Sequence, residues 1–147
     1  MKICVYGGRD THITLAGAKW LYDTLQELKC EDLIHGCASG IDSCAGFLAY
    51  LIGAGGAHPL RVTEFPAQWD TYGKSAGYMR NESMAGYADK GIMFPGGNGT
   101  KHMTQCLLFY RKPILNAFNE IWHMKDRSLS IMFNKDAIKE IKVWPAL

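Results

Sequence analysis

Length, composition and charge place this chain among ordinary globular proteins and exclude several classes of function. It has 147 residues, of which 48% are hydrophobic and 20% charged, which suits one domain with a real core and excludes a disordered chain. A net charge of +2 is too small to indicate nucleic acid as a partner, and the longest apolar stretch, residues 45–57, is too short and too rich in glycine to span a bilayer. The N-terminus reads MKICVYGG without the pattern of a signal peptide, so we predict a cytoplasmic protein with no membrane partner.

Strands alternate with helices along most of the chain. Short apolar runs predict strands at residues 2–6, 33–35, 60–65, 91–94 and 113–115. Apolar residues at three- and four-residue steps predict helices over about 13–28, from 42 to about 52, over about 77–87 and up to residue 110. This alternation predicts an α/β fold: one doubly wound domain over residues 1–116, with a mostly parallel five-stranded sheet and helices on both faces.

The tail, residues 117–147, is less regular than the rest. SLSIMF and KEIKVW are separated by NKDA, which predicts either a small terminal hairpin or an added edge strand. We expect this C-terminal extension to pack on the same domain.

The cysteines give no indication of a metal site. They form no CxxC pair and are odd in number, so we interpret them as buried thiols in a reducing compartment; the five are Cys4, Cys30, Cys37, Cys44 and Cys106. Zinc sites ordinarily bring closely spaced ligands. We therefore predict no metal.

Three predicted strands end in glycine-rich corners, each followed by a predicted helix. They read GGRD (7–10), GCASGID (36–42) and PGGNGT (95–100). In a parallel sheet all three lie at the carboxyl edge, where open α/β sheets bind ligands and where helix N-termini attract anions. The candidate ligand-binding residues in these corners are Gly7, Gly8, Arg9, Gly36, Ser39, Gly40, Asp42, Pro95, Gly96, Gly97, Gly99 and Thr100.

A single corner of this kind has two explanations. Glycine is needed either because the turn is sterically cramped or because a ligand must approach the main chain closely. Three corners together favour a phosphate-bearing ligand, and neither GxGxxG nor GxxxxGK[ST] is present to indicate a standard dinucleotide or Walker loop.

The charged residues of the corners also have more than one interpretation. Arg9 is expected to clamp a phosphate, although a surface ion pair is the alternative. Asp42 is either the N-cap of the following helix, a contact to a ribose hydroxyl, or both. His102, one turn into the last predicted helix, is expected to be a neutral surface histidine.

The segment between the third strand and the third helix supplies further candidates. Trp69 and Tyr72 are predicted to lie in a loop, where they either cover a ligand base or plug the sheet edge. Arg80, followed by Asn81, is the preferred second anion contact at the start of a helix. Glu82 is expected to be a solvated acid in the first helical turn.

The ordered motifs GGRD, HGCASGID, FPAQWDTYGKSAGYMRNESM and FPGGNGT resemble the YspA-type proteins of the SLOG superfamily. In that group the loops look like GGRD, HGGARGAD, W-x-x-x-G-x-x-A-G-x-x-R-N and PGGxGT, and the resemblance runs from about Lys2 to Leu115. The superfamily also contains the Lonely Guy phosphoribohydrolases and the DprA recombination mediators. The resemblance implies a Rossmann-like sheet and a nucleotide or nucleotide-derived ligand.

One departure from the superfamily bears on catalysis. The Lonely Guy motif is PGGxGTxxE, and its catalytic glutamate corresponds here to Met103, which can neither accept a proton nor stabilise a ribosyl cation. Arg80 resembles the arginine that partners this glutamate. Asp42 or Glu82 would replace the missing carboxylate only if the fold brings one of them to the ribose.

Three functional hypotheses follow. The favoured one is a binding module that senses or sequesters a nucleotide or nucleotide-derived molecule, as would suit a protein encoded by a phage or mobile element. The alternative is a phosphoribohydrolase or N-glycosidase acting on nucleotides or ADP-ribose-like substrates, with Arg80, Asp42 and Glu82 as catalytic candidates. The weaker alternative is single-stranded nucleic-acid binding of the DprA type, which the chain's lack of a basic stripe does not favour. Self-association is common among relatives, and a homo-oligomer is left open.

Overall fold

The strands form the parallel sheet that the sequence predicts. A computed structural model of the chain describes residues 1–9, 11–12, 15–37, 60–116 and 123–124. Within these residues five strands form one sheet: β1 (Lys2–Tyr6), β3 (Asp32–His35), β4 (Arg61–Glu64), β5 (Lys90–Met93) and β6 (Ile114–Asn116). Their order in the sheet is β4-β3-β1-β5-β6, and every neighbouring pair is parallel. The fold class is thereby confirmed, and the strand boundaries differ from the predicted ones by about one residue.

The helices occupy both sides of this sheet. They are α1 (Leu15–Glu27), the short α2 (Trp69–Tyr72), α3 (Ala76–Tyr87) and α4 (Asn98–Phe109), with a 3₁₀ turn at Gly73–Ser75. In α4 the buried residues Thr100, Met103, Thr104 and Leu107 recur at steps of three and four, so one stripe of this helix faces the sheet. The predicted helix from residue 42 lies outside the described residues.

Alternation along β1 divides the core into two clusters. Ile3 and Val5 contact one cluster, together with Leu21 and Leu25 of α1. Cys4 and Tyr6 point to the other face, where they pack with residues of α3 and α4. A strand whose two sides both meet apolar partners reads as a continuous apolar run, which explains why KICVY contains no charged residue after Lys2.

Two short segments pair outside the main sheet. β2 (Thr11–His12) and β7 (His123–Met124) form an antiparallel ladder, with Thr11 opposite Met124 and His12 opposite His123. The predicted hairpin or edge strand in SLSIMF and KEIKVW lies outside the described residues. No helix in the described part of the chain is long and apolar enough to cross a membrane.

Two sequence predictions about local structure are wrong. Trp69 and Tyr72 lie in the helix α2 and not in a loop. That helix has only four residues, which is too few to show a hydrophobic period in the sequence. Arg80 does not begin a helix, because α3 already starts at Ala76.

Candidate functional site

Two of the three glycine corners meet at the centre of the sheet. β1 and β5 are neighbours although they are far apart in the chain, and the strand order reverses between them. The Phe94 N–H donates to the Tyr6 carbonyl over 2.9 Å, and the Gly8 N–H donates to the Pro95 carbonyl over 2.9 Å. The corners after β1 and β5 therefore form one continuous surface at the topological switch point, which is where ligands of open α/β sheets bind.

Gly96 is required at this junction by packing. A Cβ on Gly96 would lie 2.6 Å from the backbone nitrogen of Gly8 and 2.8 Å from its Cα, and it would also overlap the Thr100 hydroxyl. These contacts are closer than a side-chain carbon can approach, so the two corners touch only because this residue has no side chain. For Gly96 the steric explanation is therefore correct.

Gly99 is in a different situation. It lies in the first turn of α4, where Gly97 is the N-cap residue and no side chain caps the helix. Within the described part of the chain, a Cβ on Gly99 would meet no packing neighbour within 4 Å. The first N–H groups of a helix have no intrahelical acceptor, so this turn presents backbone donors and a positive dipole end at an open position.

The third corner is held by Arg80. Within the described part of this corner, the Gly36 carbonyl accepts a hydrogen bond from Nη1 of Arg80 over 2.5 Å. A Cβ on Gly36 would lie 2.6 Å from the same Nη1, so glycine is needed here to admit the guanidinium. The other predicted ligands of this corner, Ser39, Gly40 and Asp42, lie outside the described residues.

Asn81 connects Arg80 to the first turn of α4. Its side chain is only 5% exposed. Its Oδ1 accepts a hydrogen bond from Nε of Arg80 over 3.0 Å, and its Nδ2 donates to the Gly99 carbonyl over 3.2 Å. Asn81 was predicted as a ligand contact; in the structure both Oδ1 and Nδ2 of its side-chain amide are hydrogen-bonded within the protein.

A cleft of about 640 Å³ opens beside these loops. It is lined by Arg9, Gly36, Cys37, Pro66, Ala67, Trp69 and Arg80. The predicted candidates Arg9, Gly36, Trp69 and Arg80 are thus brought together from four different segments. Three lining residues, Cys37, Pro66 and Ala67, were not predicted as ligand contacts. Of these, Cys37 could have been predicted, because it follows Gly36 within a glycine corner.

Trp69 provides the aromatic surface of the cleft. Its side chain is 48% exposed. The indole packs over α3, since a Cβ on Gly77 would lie 3.1 Å from Cη2 of Trp69. Tyr72 is also exposed, but it does not line the cleft as far as the described residues define it.

The catalytic candidates are not assembled in the described part of the site. Those described residues that line the cleft include two arginines and no carboxylate. Glu82 is exposed and lies near Cys106, where it contributes to raising the pKa of that thiol, although burial is the larger cause. Met103 is 1% exposed within the apolar cluster that also contains Tyr6 and Met84.

One further group near the centre of the sheet, the phenol of Tyr6, remains neutral because it is buried. Burial raises the pKa of Tyr6, whose hydroxyl shares a hydrogen bond of 2.8 Å with that of Thr104.

Among the described residues no group of three histidine, cysteine, aspartate or glutamate side chains could hold a metal ion.

A larger cavity, of about 970 Å³, lies at the opposite edge of the sheet. Lys2, Lys29 and Arg61 line it together with Glu31, Asp32 and Asp89, so its charges are mixed. Asp32 already accepts hydrogen bonds from the hydroxyls of Thr63 and Tyr87. We consider the smaller cleft the better candidate, because the charged groups among its described lining residues have one sign and it lies at the carboxyl edge.

Comparison with known proteins agrees with the fold. No protein-family model matches the sequence, and no curated protein matches it. The structure is similar to the X-ray structure of DNA processing protein A (DprA) from Streptococcus pneumoniae, with a TM-score of 0.68 and 18% sequence identity. The similarity covers 97% of this chain and 58% of that chain. At this level of identity the likeness shows the fold alone: the chain shares the Rossmann-like α/β architecture of DprA.

Proposed function

We propose that this chain is a SLOG-type domain, close to the YspA group, that binds a nucleotide or a nucleotide-derived small molecule at the carboxyl edge of its sheet. It acts in this proposal as a sensor or a sequestering protein. The DprA-like fold and the ordered motifs GGRD, HGCASGID and FPGGNGT support it together.

The observation that carries the proposal is the composition of the 640 Å³ cleft. Arg9 and Arg80 place two permanent positive charges there, and guanidinium groups bind phosphate oxygens in bidentate fashion. Trp69 adds a half-exposed indole on which a nucleobase can stack. An anion and an aromatic ring within one small molecule are the defining parts of a nucleotide.

The first experiment identifies the ligand. Purified protein is heat-denatured, and the released small molecules are analysed by mass spectrometry; we expect a nucleotide or a derivative. Calorimetry then measures affinity for mononucleotides, dinucleotides and ADP-ribose. Absence of binding to the whole panel at micromolar concentration would contradict the proposal.

Arginine variants locate the ligand. We expect Arg9→Ala to weaken binding by about 1.5–3 kcal/mol, or roughly ten- to a hundredfold, the scale of a hydrogen bond to a charged group. Arg61→Ala is the matched control, since Arg61 is exposed and lines the cavity at the opposite edge. If Arg61→Ala weakened binding and Arg9→Ala did not, the ligand would occupy the opposite cavity.

The DprA likeness gives a reason to test a second candidate, the binding of single-stranded nucleic acid. The exposed side chains of Trp69 and Tyr72 would supply the stacking platform that such binding requires. Salt-sensitive retention of oligonucleotides on a filter would support it. The hydrolase alternative is tested by release of free base, which Asp42→Asn or Glu82→Gln would abolish.

A further inference from the structure

The hydrogen bonds of Asn81 fix the orientation of its side-chain amide. Oδ1 faces the Nε–H of Arg80 at 3.0 Å, and Nδ2 faces the carbonyl of Gly99 at 3.2 Å. Rotating the amide by half a turn would place two donors together at Arg80 and two acceptors together at Gly99. Only the observed orientation satisfies both partners.

This orientation determines which nitrogen of His102 carries the proton. Nδ2 of Asn81 also lies 3.2 Å from Nδ1 of His102. Since Nδ2 is a donor only, Nδ1 must be the acceptor, and the proton of the neutral imidazole must be on Nε2. The sulfur of Cys106 lies 3.6 Å from Nε2 and 3.8 Å from Nδ1, so the tautomer is set by the Asn81 amide and not by Cys106.

Protonation of His102 is incompatible with this arrangement. A proton taken from solvent at Nδ1 would face the amide hydrogens of Asn81, donor against donor. Relief requires either separation of the two side chains or rotation of the Asn81 amide, and rotation breaks the bonds to Arg80 and Gly99. Among the described residues, the Tyr78 ring, with its centroid 4.4 Å from that of the imidazole, and Cys106 on the same helix also lie near His102, and Glu82 acts on Cys106 from α3.

We propose that His102 is a positioning residue that makes the placement of Arg80 depend on pH, acting through the amide of Asn81. In neutral His102 the chain of contacts runs from His102 to Asn81, from Asn81 to Arg80, and from Arg80 to the Gly36 carbonyl in the cleft wall. In protonated His102 the first link is lost, and rotation of the Asn81 amide to relieve the donor–donor contact also withdraws its Oδ1 from the Arg80 guanidinium. The consequence for a ligand rests on the proposed function, whereas the hydrogen-bond coupling does not.

NMR of the ligand-free protein tests the coupling. At about pH 8, long-range proton–nitrogen spectra should show His102 with a protonated Nε2 and an unprotonated Nδ1. As the pH is lowered to about 5, the Nε–H resonance of Arg80 should shift with the same midpoint as His102. A protonated Nδ1 at the higher pH, or an Arg80 resonance that does not follow His102, would overturn the proposal.

His102→Asn is the matched variant. Its Oδ1 can occupy the acceptor position of the imidazole Nδ1 but does not titrate, so the Arg80 resonance should become insensitive to pH in this range. His35 is the competing cause to follow in the same spectra, because its Nδ1 accepts from the Cys37 N–H on the far side of Gly36, whose carbonyl binds Arg80. An Arg80 resonance that follows His35, or that still titrates in His102→Asn, would refute the role of His102.

Binding of ADP-ribose separates this inference from the proposed function. Its two phosphates keep their charge between about pH 5 and 8, so a change of affinity reports on the protein. We expect affinity to fall about tenfold at the lower pH, the effect of one hydrogen bond to a charged group, and His102→Asn to abolish this fall. An equal fall in His102→Asn would overturn the effect on the ligand. If no nucleotide binds at either pH, the proposed function fails, and the NMR titration still decides the coupling.

Discussion

Replacing Gly96 by alanine tests whether packing dictates the central glycine corner. The added Cβ would lie 2.6 Å from the backbone nitrogen of Gly8, so one of the two corners must move. That movement strains the Gly8 N–H hydrogen bond to the Pro95 carbonyl, which is 2.9 Å long. Overpacking costs about 1–3 kcal/mol and a lost hydrogen bond about 0.5–1.5 kcal/mol, so we expect the free energy of unfolding to fall by about 2–4 kcal/mol.

Gly99→Ala is the control for this experiment. No packing neighbour in residues 1–9, 15–37 or 60–116 lies within 4 Å of a Cβ added at position 99, and this position is in a helix, where alanine is preferred to glycine. We expect the free energy of unfolding to stay the same or to rise by up to about 1 kcal/mol. Urea denaturation of the two variants and the wild type measures these free energies. They can be compared directly if the dependence of the free energy on urea concentration has the same slope in all three proteins.

The result that refutes the packing argument is a small effect at both positions. If the free energy of unfolding of Gly96→Ala is within about 0.5 kcal/mol of the wild-type value, the contact with Gly8 does not constrain the loop. Loss of ligand binding in a stable Gly96→Ala protein would then assign the glycine to ligand approach. Loss of stability with intact binding would assign it to packing alone.

Three further perturbations probe the site and the core. Gly36→Ala should displace the flexible Arg80 side chain, whose Nη1 lies 2.6 Å from the added Cβ, and weaken ligand binding about tenfold while thermal stability changes little. Trp69→Ala should weaken nucleotide binding by about 1–3 kcal/mol, the scale of one stacked base, whereas Trp69→Phe keeps a ring and should lose less; calorimetry that shows equal losses would argue against stacking. Burial raises the pKa of Cys30 from an ordinary 9.0 to about 12, so above pH 9.0 the unfolded state loses a proton that the folded state keeps. The free energy of unfolding should therefore fall from pH 9.0 to about 12, and less steeply in Cys30→Ala, as urea denaturation at several pH values would show.

The sequence was sufficient to predict the sheet because its strands are buried on both faces. KICVY, which is β1, reads as an apolar run since Ile3 and Val5 meet one core cluster while Cys4 and Tyr6 meet the other. The order of the strands was not predictable from these runs, because the backbone groups that pair two strands are the same in every strand. The contact between β1 and β5, which creates the switch point, is visible only in the structure.

The candidate site was predicted in part, and the missing part concerns contacts between distant segments. Arg9, Gly36, Trp69 and Arg80 were all proposed as ligand contacts, and all four line the cleft. The bond from Arg80 to the Gly36 carbonyl joins residues separated by 44 positions, and no local pattern encodes it. Arg80 was expected only to bind an anion, yet its side chain also donates a hydrogen bond to the Gly36 carbonyl in the wall of the cleft.

A glycine-rich corner poses the same ambiguity in any sequence, because packing and ligand binding both require the absence of a Cβ. What separates the two is the atom that a Cβ would meet. For Gly96 that atom belongs to the backbone of Gly8, and for Gly36 it belongs to the guanidinium of Arg80. For Gly99 the described residues supply no such atom within 4 Å. Packing therefore accounts for Gly96, and indirectly for Gly36, whose packing positions a cleft arginine. For Gly99 no packing neighbour among the described residues requires a glycine, so its exposed turn is the part of FPGGNGT where the binding assay, and not packing, has to decide between the two explanations.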